Sequence, residues 1–215
     1  ARHKLGRIDA VIMAVITLLY AGIAFWKLGN TSSPESFVNM ENRTESIELD
    51  ISSGTVTHLM VYEGVGIGSY RISYSDGSTT YELTELTQSH ADVLKWHDVA
   101  INYYLTGGTI YISGTGNVWL GEVVALDADG NVVGAVSSAS ELCDEQSLCP
   151  DRQTYMNSTY FDEIYHARTA WENLNGVYPY EITHPPLGKI IISIGIALFG
   201  MTPFGWRFSG TFFGV

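Results

Sequence analysis

The chain has 215 residues, enough for one or two domains, and it is strongly acidic: 11 lysines and arginines oppose 23 aspartates and glutamates, a formal net charge of −12. Phosphate binding needs a basic surface, so this charge balance excludes nucleic acid as a partner. Hydrophobic residues make up 46% of the chain. They are concentrated in two runs near the ends, which predicts membrane segments on both sides of a polar, acidic middle.

Residues 1–29 are predicted to form a cytoplasmic N-terminus and a first transmembrane helix. Basic residues up to Arg7 precede an apolar run at 10–26, whose length is near the lower limit for crossing a hydrocarbon layer of ~30 Å. The basic residues favour the cytoplasmic face, and Trp26 suits the opposite interface. A cleaved signal peptide is the alternative, but Lys27 and the aromatic residues make a poor cleavage site. A retained helix places the middle of the chain outside the cytoplasm.

Residues 34–139 are predicted to form an extracytoplasmic antiparallel β-sandwich. Short segments alternate apolar with polar or small residues and are rich in β-branched and aromatic side chains, as at 46–51, 58–62, 70–74, 109–113 and 118–123. Turn sequences separate them, at 75–78, 106–108 and 127–131. About a hundred residues suffice for the core of such a sandwich.

Two further motifs in this region are weak. The glycines at 64–68 are not a dinucleotide fingerprint, because Ser69 replaces the third glycine and no helix pattern follows. Residues 127–130 resemble a calcium loop but lack the later ligands, so a hairpin turn is the better prediction. No metal and no cofactor are predicted.

A polar linker follows at 140–159. It carries Cys143 and Cys149, the two cysteines of the chain. Outside the cytoplasm they could close a small disulfide loop, and two free thiols are the other interpretation. The spacing leaves both open.

An external loop with an acidic pair is predicted at 160–183. Apolar residues recur at helical spacing from 160 to 174. At about 100° per residue, Asp162 and His166 fall on one side of this helix, and Glu163 lies just around from Asp162.

The second apolar run, 184–206, is predicted to be a transmembrane helix that returns the chain to the cytoplasm, and 207–215 to begin a third span. It opens with His184-Pro185-Pro186-Leu187-Gly188-Lys189. The double proline keeps the polar groups at the mouth of the helix. This topology places Arg207 on the cytoplasmic side, as a structural or orienting residue.

The two motifs suggest chemistry at the outer membrane face. A carboxylate of Asp162 or Glu163 can act as a general base on an acceptor hydroxyl, with its pKa tuned by the neighbouring carboxylate. His184 and Lys189 can hold a lipid phosphate. In the alternative interpretation these residues have only structural roles: the acidic pair caps a helix, and the Lys189 side chain reaches to the membrane interface.

Three ordered motifs, at 160–166, 184–189 and 203–208, resemble the start of the protein O-mannosyltransferase family. More broadly, they are similar to bacterial phospholipid carrier-dependent glycosyltransferases of the GT-C type. The first helix, with its flanks at 7–9 and 24–29, fits too.

The resemblance implies a multi-pass enzyme of the cell membrane, with GT-C transmembrane α-helices. It would transfer a sugar, mannose-like, from a polyprenyl-phosphate carrier to an acceptor hydroxyl on a protein or glycan, with inversion and without a metal. Asp162 would be the catalytic base, and Glu163 would support it or help bind donor and acceptor. His166, His184 and Lys189 would bind substrate.

Two departures from the family pattern stand out. The β-rich insert precedes the acidic pair, and its end is similar to galactose-binding-like or discoidin-type jelly rolls. Trp96, Tyr103 and Tyr104 could stack on sugars or pack in a core. The chain also stops as the third helix begins, so we expect it to be an N-terminal fragment that is inactive alone.

Two other classes compete with the enzyme. One is a membrane-anchored carbohydrate-binding or adhesion module whose β-domain is the working part. The other is a purely structural ectodomain.

Overall fold

The computed structural model describes residues 6–215. The basic residues before Gly6, on which the predicted cytoplasmic N-terminus depends, lie outside the described part of the chain. The helices are α1 (Arg7–Ala24), α2 (Glu163–Leu174), α3 (Pro186–Phe199) and α4 (Pro203–Gly214). The strands are β1 (Val38–Asn39), β2 (Ile47–Ile51), β3 (Thr55–Glu63), β4 (Ile67–Ser75), β5 (Thr80–Gln88), β6 (Lys95–Thr106), β7 (Thr109–Asn117), β8 (Trp119–Leu126) and β9 (Ala135–Ser137).

Helix α1 is a candidate membrane span. Its 18 residues have a mean hydropathy of 1.8, and none of them is buried against the rest of the protein. Among residues 6–215 it is the one helix long and apolar enough to cross a membrane. The Asp9 carboxylate accepts a hydrogen bond from the Gly6 amide at 2.8 Å, which closes the first turn.

The antiparallel β-structure predicted for 34–139 is confirmed. A four-stranded sheet has the order β1-β8-β3-β6, and a five-stranded sheet has the order β5-β4-β7-β2-β9. Neighbouring strands are antiparallel throughout. Without the edge strand β9, this order is that of two interlocked Greek keys, a jelly roll. The main core fills the space between the sheets and includes Leu49, Leu59, Ile72, Ile112 and Val123.

A second core covers the outer face of the four-stranded sheet. Met60, Tyr62 and Trp96 pack there with residues of the C-terminal helices, namely Ala167, Ala170, Ile196 and Trp206. Strands β3 and β8 are therefore buried on both faces, which explains their nearly continuous apolar sequence. The β-domain is thus packed against the helices that carry the acidic pair.

For Trp96 this packing confirms core packing, one of the two roles that the sequence left open. The Trp96 side chain is only 1% exposed and contacts the Tyr62 ring, with 5.2 Å between the ring centroids. It is a core residue and cannot stack on a sugar. Tyr103 and Tyr104, in contrast, are exposed.

The segment 184–206, predicted as a single membrane helix, is divided in two. Helix α3 ends at Phe199 after 14 residues, a length of about 21 Å at 1.5 Å per residue. Gly200 then adopts φ 78°, a left-handed conformation that stops a helix. The Thr202 hydroxyl accepts the Gly205 amide at 3.0 Å and starts α4. The two helices pack closely, because a Cβ at Gly195 would lie 2.4 Å from the Gly205 carbonyl oxygen.

Cys143 and Cys149 are both free thiols in the structure. Both are half-buried, and burial raises the pKa of each thiol to about 11. Of the two interpretations left open by the sequence, the structure has the free thiols. Such protonated thiols react slowly.

We expect the stability of the β-domain to fall as pH rises from 6.5 to 8, because of Glu63. Burial raises the pKa of this carboxyl to about 7, opposed by the hydroxyl of Tyr70, which donates to it at 2.7 Å. Asp92 adds to the rise and Lys95 opposes it. The folded chain therefore keeps a proton that the unfolded chain, with an ordinary pKa of 4.5, has already lost. This contribution is complete below pH 4.5 and is lost as pH rises through 7.

The measurement is the free energy of unfolding of wild type and Glu63→Gln at pH 6.5 and pH 8. Wild type should lose roughly 1 kcal/mol more than the variant over this interval. The neighbouring His97 has a pKa lowered by burial, so it acts in the opposite direction, but only below about pH 6.5. Equal pH dependence of the two proteins would contradict the protonated state of Glu63.

Candidate active site

The acidic pair lies at the start of α2, on a strained turn. Asp162 is the residue before the helix and Glu163 is its first residue. Phe161, just before them, has φ 50°, an uncommon conformation for a bulky side chain. The Glu163 carboxylate accepts the Tyr160 amide at 2.9 Å and closes this turn. Backbone strain of this kind is concentrated at functional sites, where the surrounding structure holds it in place.

Glu163 forms a bidentate ion pair with Arg207 of α4. The guanidinium Nε donates to Oε1 at 2.5 Å and Nη2 donates to Oε2 at 2.6 Å. The Arg207 side chain is 12% exposed and that of Glu163 is 26% exposed, so the pair is partly shielded from water. Planar, two-point pairing of this type fixes both side chains in orientation.

Besides Glu163, Arg207 forms hydrogen bonds with two other segments that are distant in sequence. Its Nη1 donates to the Leu28 carbonyl at 2.8 Å and to the Tyr155 carbonyl at 2.7 Å. Leu28 lies just after the end of α1, and the Phe204 amide donates to the Asn30 carbonyl at 3.0 Å. The start of α4 thus lies beside the end of α1.

The prediction that Arg207 lies on the face opposite to the acidic pair is therefore wrong. The turn at 200–202 folds the chain back, so α4 begins at the level of Glu163 instead of one membrane thickness away. Arg207 is a site residue that the sequence reasoning assigned to the other side.

Asp162 has the free carboxylate of the acidic pair. Its side chain is exposed and makes no hydrogen bond or ion pair within residues 6–215. It lines a cavity of about 470 Å³ with Glu163 and Arg207. A second cavity, of about 570 Å³, lies between the same ion pair and the end of α1, including Trp26. The helix-capping alternative is not supported for Asp162, since its side chain makes no capping hydrogen bond.

Two histidines extend the site by one helical turn. The His166 amide donates to the Asp162 carbonyl at 3.1 Å, which places the imidazole on the face of α2 that carries Asp162. Its ring meets the His184 ring edge to face, with 5.4 Å between the centroids. The His184 side chain is 63% exposed, and its Nδ1 lies 3.2 Å from a Glu181 carboxylate oxygen. The structure thus brings together the acidic pair and both predicted histidines.

Lys189 is engaged elsewhere. Its side chain is buried, and its ammonium group pairs with the Glu181 carboxylate and donates to the Glu181 carbonyl oxygen at 2.7 Å. The hydrogen bond from Lys189 holds the pKa of Glu181 well below its usual range. Lys189 therefore does not line the cavity that contains Asp162. The contact of Lys189 with a phosphate stays a prediction. In the structure, its contact with Glu181 holds the 177–185 connection in place.

Contacts with the β-domain hold α2 in position. Arg168 forms a buried pair with Glu172 at 2.8 Å, and its guanidinium lies 4.5 Å from the centroid of the Tyr180 ring. His90, from the connection between β5 and β6, stacks on the same ring at 4.0 Å. The Tyr180 amide donates to Glu172 at 2.7 Å. Sequence reasoning missed this cluster, although Arg168 and Glu172 have the i, i+4 spacing of a helical ion pair.

Comparison with known proteins gives a partial match. The chain is 48% identical over 61 residues to the polyprenol-phosphate-mannose--protein mannosyltransferase of Mycobacterium tuberculosis (strain ATCC 25618 / H37Rv). It is 46% identical over 61 residues to the protein of the same name from Mycolicibacterium smegmatis (strain ATCC 700084 / mc(2)155). The chain has homologues among protein mannosyltransferases.

The extent of the match is limited. It covers 26% of this chain and spans only 12% of the length of these curated relatives. No protein-family model matches the chain, and no solved structure matches it. The relatives support a mannosyltransferase role in general.

Proposed function

We propose that this chain carries the catalytic external loop of a membrane glycosyltransferase, which transfers mannose from a polyprenyl-phosphate carrier to a hydroxyl group outside the cytoplasm. One observation carries the proposal most: the Asp162 carboxylate is free, lines a cavity, and stands beside a carboxylate that Arg207 has fixed. A free carboxylate in a shaped cleft is suited to act as a general base.

The proposed step is a single displacement at the anomeric carbon. The acceptor oxygen forms a bond to this carbon while Asp162 takes the hydroxyl proton. The bond from the anomeric carbon to the phosphate oxygen breaks, and the electron pair leaves with the polyprenyl phosphate. Attack from the face opposite the leaving group inverts the anomeric configuration.

The neighbouring residues have separate roles in this proposal. His166 lines the cavity and its ring meets that of His184, and both imidazoles would donate hydrogen bonds to the leaving phosphate. The ion pair of Glu163 with Arg207 would orient the turn that carries Asp162. Lys189 would act as a positioning residue, because it holds Glu181 next to His184.

The position of the cleft fits a lipid-linked donor. Helix α1 is the candidate membrane span, and both cavities open at the residues that follow it, with Leu28 lining each one. The charge pattern before α1 predicts that this end is extracytoplasmic. We propose that α3, with a length of about 21 Å, lies along the membrane surface and that α4 begins the next span.

The direct test is a transfer assay with membranes that contain the complete protein. Radiolabelled mannose on a short polyprenyl phosphate is supplied with a serine- and threonine-rich peptide. We expect mannose on the peptide, in the anomeric configuration opposite to that of the donor. Absence of transfer, with an active mannosyltransferase as the positive control, would contradict the proposal, and retained configuration would contradict the single displacement.

A second candidate function is supported by the exposed tyrosines of β6. Tyr103 and Tyr104 are 54% and 81% exposed, and with Tyr74 and Tyr81 they line a cavity of about 180 Å³. Exposed aromatic rings can stack on sugars, so this surface supports a carbohydrate-binding module. The prediction is that Tyr104→Ala abolishes binding of the chain to immobilised mannan while Tyr20→Ala, in α1, does not. Equal binding, or none by wild type, would remove this candidate.

A further inference from the structure

Three carboxylates meet at the outer face of the four-stranded sheet, away from the acidic pair. Glu122 belongs to β8, and Asp144 and Glu145 belong to the 140–149 connection. One oxygen from each residue lies within 4.8 Å of the others. None of the three forms an ion pair with a lysine, arginine or histidine in the described range of 6–215. Three carboxyl groups at this separation cannot all carry a charge at low cost unless a positive partner is present.

Glu122 makes this cluster different from an ordinary acidic surface. Its side chain is fully buried, with 0% exposure. Its Oε2 accepts the Glu145 amide at 3.0 Å, but its Oε1 is buried and has no hydrogen-bond partner within the described chain. A buried carboxylate oxygen without a partner is costly, so it points to a missing positive or donating group.

The cross-strand neighbour of Glu122 also has a buried polar atom without a hydrogen-bond partner. Tyr62 of β3 pairs with Glu122 in the ladder, and it is fully buried. Its hydroxyl also lacks a partner with normal hydrogen-bond geometry among residues 6–215. Two cross-strand neighbours on this face of the sheet thus each have an unsatisfied polar atom.

Further oxygen atoms surround the three carboxylates. The Ser36 hydroxyl lies 3.1 Å from an Asp144 oxygen and 3.3 Å from the Glu141 carbonyl oxygen. The Glu145 carboxylate accepts the Glu35 amide at 2.8 Å, which brings the segment after α1 to the same place. The cluster contains carboxylates only, without histidine or cysteine, and oxygen ligands of this kind suit a hard cation.

We propose that Glu122, Asp144 and Glu145 bind one calcium ion, with Ser36 and the Glu141 carbonyl oxygen as candidate additional ligands. Calcium accepts irregular sets of carboxylate, carbonyl and hydroxyl oxygens, whereas magnesium demands near-ideal octahedral geometry and keeps several waters. The bound ion would clamp the 140–149 connection and the 35–36 segment onto the sheet. The site would thus stabilise the joint between the β-domain and the segments that lead to α1 and α2.

The test is calcium binding by the complete protein after removal of divalent ions with a chelator. Binding is measured by isothermal titration with calcium alone and magnesium alone, and stability by the midpoint of thermal unfolding. Wild type should bind one calcium ion per chain, with a dissociation constant of about 10⁻⁴ to 10⁻³ M as in extracellular modules, and its unfolding midpoint should rise.

Two variants and one control make the outcome decisive. Asp144→Asn changes an exposed ligand and should fold normally while weakening calcium binding at least tenfold, and Glu122→Gln should weaken it further. Asp129→Asn, an equal charge change at an exposed turn position, should bind like wild type. No calcium binding by wild type, equal binding of magnesium, or unchanged binding by Asp144→Asn would each overturn the proposal.

Discussion

Replacing Asp162 by asparagine should lower mannose transfer by about 10²- to 10⁴-fold, the range expected for loss of a general base. The structure explains why stability should change little: the Asp162 side chain is exposed and bonds to nothing within residues 6–215. The measurement is the initial rate of transfer in membranes that contain equal amounts of each variant. The unfolding midpoint of the purified proteins should agree within error.

The matched control for this prediction is Asp151→Asn. Asp151 is also exposed, lies in the preceding loop and has no ion pair in the described structure. It should transfer mannose at the wild-type rate. Near-normal transfer by Asp162→Asn would remove the base assignment. Glu163→Gln distinguishes the roles of the two acids, because it should lower stability as well as transfer, whereas Asp162→Asn should lower transfer alone.

The second large effect is expected at Arg207, on stability as well as on transfer. Arg207→Ala leaves the partly buried Glu163 carboxylate unpaired and removes the bonds to the Leu28 and Tyr155 carbonyls. Loss of one partner of a buried pair costs about 3–5 kcal/mol, and partial exposure reduces this to roughly 2–4 kcal/mol. Transfer should fall at least tenfold, because the turn that carries Asp162 loses its support.

Arg207→Lys tests whether charge or geometry matters. A lysine keeps the charge but cannot hold two carboxylate oxygens and two carbonyls with one ammonium group. It should recover less than half of the lost stability. Arg152→Ala, an exposed arginine on the neighbouring loop, should behave as wild type. A stable and active Arg207→Ala would show that the ion pair has no role at the site.

The sequence predicted those parts of the fold that local patterns determine. Alternation and turn residues located the β-domain. Residues 127–131 form a turn as predicted, with the Asp127 carboxylate accepting the Asp129 and Asn131 amides. One antiparallel bridge, between Leu126 and Val132, closes this turn, and β8 and β9 then belong to different sheets. Helical spacing also predicted that Asp162 and His166 share one side of α2, whereas His184 meets His166 through a tertiary contact. The predicted features thus depend on neighbours close in sequence.

The features that were missed depend on contacts between distant segments. The apolar run 190–199 was interpreted as crossing a membrane, whereas part of it is apolar because Ile196 packs on α2 and on the β-domain. A signal for the break was present: Gly200 followed by Thr202 and Pro203 is a helix stop and a helix start. Without this break Arg207 was placed on the wrong face.

Side-chain partners could not be predicted either. Lys189 has the sequence context of a phosphate ligand, but the fold places Glu181 against it. Glu122 alternates as a surface residue would, yet it is buried because the 140–149 connection covers it. Both outcomes depend on tertiary packing that no local pattern encodes.

The most direct measurement of the central claim is a double-mutant cycle between Glu163 and Arg207. The free energy of unfolding is measured for wild type, Glu163→Gln, Arg207→Gln and the double variant. If the first turn of α2 and the start of α4 meet at the end of α1, as in the structure, the coupling energy should be about 2 kcal/mol or more. Additive effects, within about 0.5 kcal/mol, would mean that the two residues do not touch and would contradict this active site.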